Sequence, residues 1–369
     1  MLASNQDGRT VVSATCHDST RVVRTRLCAT RYRLCVLLVF LAFSSTLHAA
    51  TQTTAPSSYR QVTDEIGRSI RVPQSIHRVV SLAPSLTETV YALGVQDLLV
   101  GDTDYCDYPP DAQQKPKVGG ATNPSLEAIA ALHPDLVLVT KSLNRLETVE
   151  ALEQIGIPSY GTDPHTMNAI IDSTEHLADL FGVSATGASL AFDLRHQLSD
   201  LQQRLNTVPS TPVLFIVWTQ PLISIGKDTF IADALRHAGA VSIIDSAQNW
   251  PQVNLEEVVR LQPEFLIFVE SHTGAAPQSG DALVNLPGWR LLHAVRDHRY
   301  ITISDAINRP APRLVSAIHD LARQLHPDAF ATKPDAEKEP PAAPPLSLNN
   351  DSAANSSPFP LSLEPACAL

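Results

Sequence analysis

The chain has 369 residues and a formal net charge of −11, with 27 basic side chains against 38 acidic ones. Six arginines and two aspartates fall in residues 1–50, so the remainder stands at about −15, which excludes a general nucleic-acid binder with a basic face. A hydrophobic share of 44% supplies one large core or two smaller ones and excludes a wholly disordered chain.

Residues 34–43 (LCVLLVFLAF) form an apolar run too short to span a bilayer comfortably. Arginines precede it and the small-residue stretch SSTLHAA follows it. Residues 1–50 therefore read as a secretory signal cleaved near Ala49 or Ala50, with an uncleaved anchor as the alternative. Cys16, Cys28 and Cys35 leave with this segment, and Cys106 and Cys367 remain. Two cysteines do not make a disulfide scaffold, so the exported body must stand on its core.

Residues 51–76 form an N-terminal segment in which VTDEIGRSIRV alternates about a turn, as a hairpin would. An N-terminal α/β lobe follows over 77–183. It opens on the buried strand RVVSLAP, and Ser85 with Glu88 has the spacing of a capping box for a helix over 86–93 that stops at Gly94. Further strands are expected over 98–101, 136–140 and 159–161, and alternation with helices makes the sheet parallel. Leu190, Leu194, Leu198, Leu201 and Leu205 lay one apolar stripe along a connecting helix, assigned to 184–208. A C-terminal α/β lobe occupies 209–330, and the Pro/Ala/Ser-rich residues 331–369 are expected to be a disordered tail.

The lobes repeat one unit. In SLEAIAALHPDLVLV and NLEEVVRLQPEFLIFV, Leu126, Glu127, Leu132 and Pro134 match Leu255, Glu256, Leu261 and Pro263 at one constant offset. The expected fold is α/β, with two Rossmann-like lobes joined by one long α-helix and a ligand cleft between them at the carboxyl ends of the strands.

The sequence contains no HExxH, GxSxG or P-loop motif and no clustered Cys/His spacing, so neither an enzyme nor a bound metal or cofactor is expected. His165, in a loop after a strand, is the least improbable metal ligand among the scattered histidines. Aromatic residues stand instead at loop ends: Tyr105 opening YCDYPP, Trp218 after an expected strand over 213–217, and Trp250 in WPQV. Arg309 and Asp305 lie in a loop after a strand over 300–303. Trp289 reads as helix packing and stays outside this set.

CDYPP, SLE…LHPDLVLV, NWPQVNLEEV, PLISIGKDTF and NRPAPRLV resemble the periplasmic substrate-binding proteins of cobalamin ABC importers, over about residues 72–325. The resemblance implies the helical-backbone periplasmic-binding fold, a periplasmic location and delivery of a corrinoid to a permease/ATPase complex, and the single expected cleft implies one corrinoid per monomeric chain. It implies corrinoid contacts for Tyr105, Trp250 and Arg309, with Asp305 and Trp218 beside them, and permease docking for Glu127 and Glu256. The chain departs from the family at Gly120-Ala121-Thr122-Asn123, where a close member carries a cleft tryptophan. Two other functions remain: a haem or ferric-siderophore receptor of the same fold, and an exported metal-dependent hydrolase.

Overall fold

The computed structural model describes residues 58–270 and 283–331, so the expected signal and all but the first residue of the expected tail lie outside the described residues. The chain divides into a unit ending at Arg60 and a unit from Gln61 to Leu369, which holds both lobes. No helix among the described residues is long and apolar enough to cross a membrane. β1 (Tyr59–Thr63) and β2 (Ser69–Pro73) form the expected two-stranded ribbon. Its turn is closed by Asp64, which accepts hydrogen bonds from the Arg68 backbone N–H at 2.7 Å and from Arg68 Nε at 2.8 Å.

In the N-terminal lobe, β3 (Val79–Ser81) leads into α1 (Pro84–Ala92) and β4 (Leu99–Gly101). Then come α2 (Leu126–Ala131), β5 (Leu136–Thr140), α3 (Leu146–Gln154) and β6 (Ser159–Thr162). The strands pair in the order β4–β3–β5–β6, all parallel. Every residue of β5 is buried, which is why LVLVT is continuously apolar up to its threonine rather than alternating. α1 starts two residues before the expected helix, at Pro84, and its N-cap residue Ala83 makes no side-chain cap. The expected Ser85/Glu88 capping box is therefore absent, because the Glu88 carboxylate is held elsewhere.

α4 (Met167–Phe181) and α5 (Ser184–Leu205) link the lobes. In the C-terminal lobe come β7 (Thr211–Phe215), a small antiparallel ribbon of β8 (Trp218–Thr219) and β9 (Leu222–Ile223), α6 (Phe230–His237) and β10 (Ala240–Ser242). α7 (Leu255–Leu261), β11 (Phe265–Val269), α8 (His293–Arg296), β12 (Tyr300–Ile303), α9 (Leu314–Leu325) and α10 (Pro327–Phe330) follow. The second sheet, β10–β7–β11–β12, is also parallel. Trp289 is 4% exposed in the core beside β11, on a 3₁₀ turn (Trp289–Leu291) rather than the expected helix.

The repeat extends to backbone detail. Ser125 caps α2 by accepting from the Ala128 N–H, and Asn254 caps α7 by accepting from the Glu256 N–H. Each helix then leads to a non-glycine residue in the left-handed region, His133 at φ 44° and Gln262 at φ 45°, before the proline that turns the chain into β5 or β11. Few non-glycine residues adopt this region, histidine more readily than glutamine, so its recurrence at matching positions marks one repeated unit.

The link between lobes is a helix pair. The leucine stripe of α5 is buried at Leu194, Leu198, Leu201 and Leu205, as its spacing implies. α4 belongs to both cores: Met167, Ile170 and Ile171 pack in the C-terminal one, and Leu177, Ala178 and Leu180 in the N-terminal one. Gly187 lets the two helices approach, since a Cβ there would overlap the Cβ of Ala178. Gly187→Ala should therefore lose about 1–3 kcal/mol to overpacking, set against the roughly 1 kcal/mol that alanine gains in a helix. Urea denaturation should show net destabilisation, with partial recovery in Gly187→Ala/Ala178→Gly. A more stable single variant would disprove the close crossing.

Candidate functional site

The loops after the parallel strands of both lobes converge on one hollow of about 290 Å³. Ser85 follows β3, Leu143 follows β5, His165 follows β6 and Arg309 follows β12, with Phe230 at the start of α6 and Trp250 in the loop before α7. This is where open α/β sheets present their ligand sites, because connections that diverge from neighbouring strands leave a crevice there. A second hollow, of about 650 Å³, lies wholly within the C-terminal lobe between Pro221, Leu255 and Trp289.

The Trp250 loop is fastened by its backbone. Ser224 N–H donates to the Pro251 carbonyl, Gly226 N–H to Asn249, and Lys227 N–H to Ser246, all at 2.9–3.1 Å. Any Cβ at Gly226 would collide with the Gln248 carbonyl, which explains the glycine in SIGKD. The indole itself stays 51% exposed. Across the hollow, buried Asn144 donates from Nδ2 to the carbonyls of Leu82 and Ala121, and its Oδ1 accepts from the Thr140 N–H. One amide thus fixes three backbone segments at the strand ends.

Arg309 does not stand free at the hollow. Its Nη1 donates to Glu88 Oε1 at 2.9 Å, and its Nη2 lies 2.7 Å from Asp107 Oδ1 and 2.8 Å from Asp305 Oδ2. Arg313 holds both oxygens of Glu88, through Nε to Oε2 and Nη2 to Oε1, each at 2.9 Å, and reaches Asp305 Oδ1 at 3.4 Å. Its guanidinium carbon also lies 4.0 Å from the centre of the Tyr108 ring. Burial tends to lower both arginine pKa values, but the surrounding carboxylates outweigh it and raise them, so the guanidiniums stay charged. Three carboxylates and two guanidiniums leave the cluster formally one charge negative.

Of the expected ligand residues, Trp250 and Arg309 line the hollow and Asp305 braces Arg309 from behind. Tyr105 (58% exposed) and Trp218 (51% exposed) lie outside its lining. Trp218 belongs to β8 itself, beyond a β7 strand that ends at Phe215, and its Nε1 donates to the Gln220 carbonyl. Tyr105 Cε2 lies 3.8 Å from where a Cβ on Gly120 would stand, so this ring occupies space beside the departure from the family pattern. His165 borders the hollow with Nε2 3.2 Å from Asp163 Oδ1. Glu127 and Glu256 are exposed in the first turns of α2 and α7. Glu88, Arg313 and Asn144 escaped sequence reasoning, and Glu88 carried a misleading signal, its capping-box spacing.

Behind the CDYPP loop, Lys117 Nζ donates to Asp102 Oδ1 at 2.7 Å and to the carbonyls of Cys106 and Ala112. Cys106 is buried with its Sγ 3.2 Å from both Thr87 Oγ1 and Thr103 Oγ1. Burial pushes its thiol pKa upward, as expected of a packing residue rather than a reactive one. Asp102 is fully buried, and its Oδ2 has no hydrogen-bond partner. Burial outweighs the Lys117 ammonium and raises the carboxyl from 3.8 to about 6.

Residues 79–306 match the family described as periplasmic binding protein. The vitamin B12-binding protein of Vibrio parahaemolyticus is 32% identical over 255 residues, covering 68% of this chain and 90% of that protein. The crystal structure of the periplasmic vitamin B12 binding protein BtuF of Vibrio cholerae superposes with a TM-score of 0.60 at 27% identity, covering 70% of this chain and 99% of that one. The periplasmic heme-binding protein RhuT from Roseiflexus shares the fold at a TM-score of 0.62 and 24% identity, covering 69% and 100%.

The raised carboxyl of Asp102 has a defined effect on stability. The unfolded chain releases this proton near pH 3.8 and the folded chain near pH 6. The contribution, on the order of 3 kcal/mol for a shift of about two units, is therefore complete below pH 3.8 and lost as pH rises through 6. Urea denaturation of wild type and Asp102→Asn across pH 4–8 should show the wild type's relative stability falling as pH rises. A relative stability that rises with pH would mean that Lys117, not burial, dominates this site.

Proposed function

The chain belongs to the periplasmic binding protein family, and we propose that it is a periplasmic receptor that captures cobalamin or a related corrinoid and delivers it to an ABC importer. It acts by binding alone. The observation that carries this reading is the charge at the cleft floor. A ferric catecholate siderophore or a haem propionate is anionic and would need an available cation, but Arg309 and Arg313 are already committed to Glu88, Asp107 and Asp305. A cobalamin presents neutral amides around its rim, which suit a floor of carboxylate oxygens and partly shared N–H groups, and its one phosphate is the single anionic group that Arg309 would meet. The hollow encloses about 290 Å³, less than such a macrocycle occupies, so the rest of the ligand would extend towards the exposed rings of Tyr105 and Trp218. His165 at the rim is what favours haem as the second reading, since imidazole can ligate its iron.

The deciding experiment titrates the purified protein with cyanocobalamin, haem and a ferric siderophore, followed by calorimetry and absorption. Cyanocobalamin should saturate at one per chain. Saturation by haem with a shifted Soret band, and no heat from any corrinoid, would replace the reading with the second one. Trp250→Ala should weaken cyanocobalamin binding by about 1–3 kcal/mol, as truncation of a stacked aromatic anchor does, with little change in melting temperature. Lost stability with unchanged affinity would make Trp250 a packing residue.

Delivery is tested separately, on the importer. Glu127 and Glu256 occupy equivalent exposed helix starts in the two lobes, as a two-fold symmetric permease would require. Glu127→Ala/Glu256→Ala should keep cyanocobalamin affinity and melting temperature, yet lose stimulation of ATP hydrolysis by the cognate importer. Each single variant should fall between. Normal stimulation by the double variant would place docking elsewhere.

A further inference from the structure

We infer that Glu88 is a positioning residue that latches the two lobes together across the cleft floor, so that the site is held open at one width before ligand arrives. The inference rests on the receptor reading above for its ligand but not for its geometry. Glu88 is on α1 of the N-terminal lobe, with its side chain 2% exposed, while Arg309 and Arg313 belong to the C-terminal lobe. Two further contacts cross in the same place, Asp107 to Arg309 at 2.7 Å and the Tyr108 ring to Arg313 at 4.0 Å. All the N-terminal partners come from α1 or the CDYPP loop, and both C-terminal partners from the segment after β12.

The chemistry makes this a latch rather than an incidental contact. A carboxylate this deeply buried cannot leave its guanidiniums without stranding charge in a poorly solvated place. Its bidentate geometry on Arg313 adds direction to the attraction, since two parallel N–H···O bonds tolerate little sliding. Asp305 steadies both arginines from their own lobe, so the pair moves as a unit with β12 and α9. Asp107 and Tyr108 thereby gain a role separate from that of Tyr105: they hold the opposite lobe.

A latch that preserves the competent cleft width has a kinetic signature distinct from a ligand contact. Releasing it lowers the fraction of molecules with a competent cleft, and the apparent Kd rises by the inverse of that fraction. The association rate falls while the dissociation rate from the bound complex stays the same. Loss of a direct ligand contact does the reverse, leaving association and speeding dissociation.

The test compares the full chain with Glu88→Gln by small-angle scattering, with and without cyanocobalamin, and by stopped-flow binding. Wild type should keep one radius of gyration throughout. Glu88→Gln should be larger when free and contract on adding cyanocobalamin, with association slowed roughly tenfold for a competent fraction near one tenth and dissociation unchanged. Asp107→Asn, which removes one crossing pair from a partly exposed loop, should show the same pattern more weakly and serves if Glu88→Gln does not fold. Identical scattering of free wild type and both variants would overturn the latch. So would unchanged association with faster dissociation, which would make the cluster a ligand contact. If wild type binds no corrinoid, the receptor reading fails, but the ligand-free scattering still decides the latch.

Discussion

A cleft between two lobes with separate cores is a site only while the spacing of the lobes is held, and much of the described structure bears on that spacing. At the back, α4 contributes apolar side chains to both cores, so relative motion of the lobes would strain its packing at one end or the other. α5 lies against it, brought close by the bare backbone of Gly187. At the front, the buried carboxylate of Glu88 joins α1 to the segment after β12. Packing resists separation through area, and the ion cluster resists it through the cost of an unpaired buried charge.

The sequence disclosed whatever depended on local pattern. Strand and helix alternation, the leucine stripe of α5 and the repeat were legible because each rests on periodicity or identity within a short window. The equivalence of His133 and Gln262 follows from that repeat, although their left-handed backbone could not be read from residue types that adopt it only occasionally. The division of α4 between two cores was invisible, since its apolar face reads like that of any amphipathic helix and does not say what covers each half. Glu88 shows the sharper failure. A glutamate three residues after a serine at a helix start normally folds back onto the backbone, but here its partners lie 221 and 225 residues further along the chain.

The candidate site divides in the same way. Trp250 was legible as an aromatic in an unusual loop, and the backbone bonds that fasten it explain why the glycine of SIGKD accompanies it. Arg309 was legible as a residue but not as an ion-paired one, because ion pairing depends on which carboxylates arrive from elsewhere. Asn144 gave no signal in a loop full of polar residues, yet its one amide joins the ends of two strands to the loop carrying Gly120 and Ala121.

Solved proteins of this fold carry names for different ligands, haem among them, so architecture alone does not choose the cargo. What differs at the floor of such a cleft is the availability of positive charge. A guanidinium with free N–H groups attracts carboxylate or propionate, and the same guanidinium enclosed by carboxylates repels them. In this chain the residues that hold the lobes together are also those that withhold the charge of Arg309 and Arg313 from the ligand. Cleft width and charge selection are therefore coupled through one cluster. A substitution that freed an arginine to accept an anionic ligand would also loosen the lobes, and that cost opposes a simple exchange of one ligand class for another.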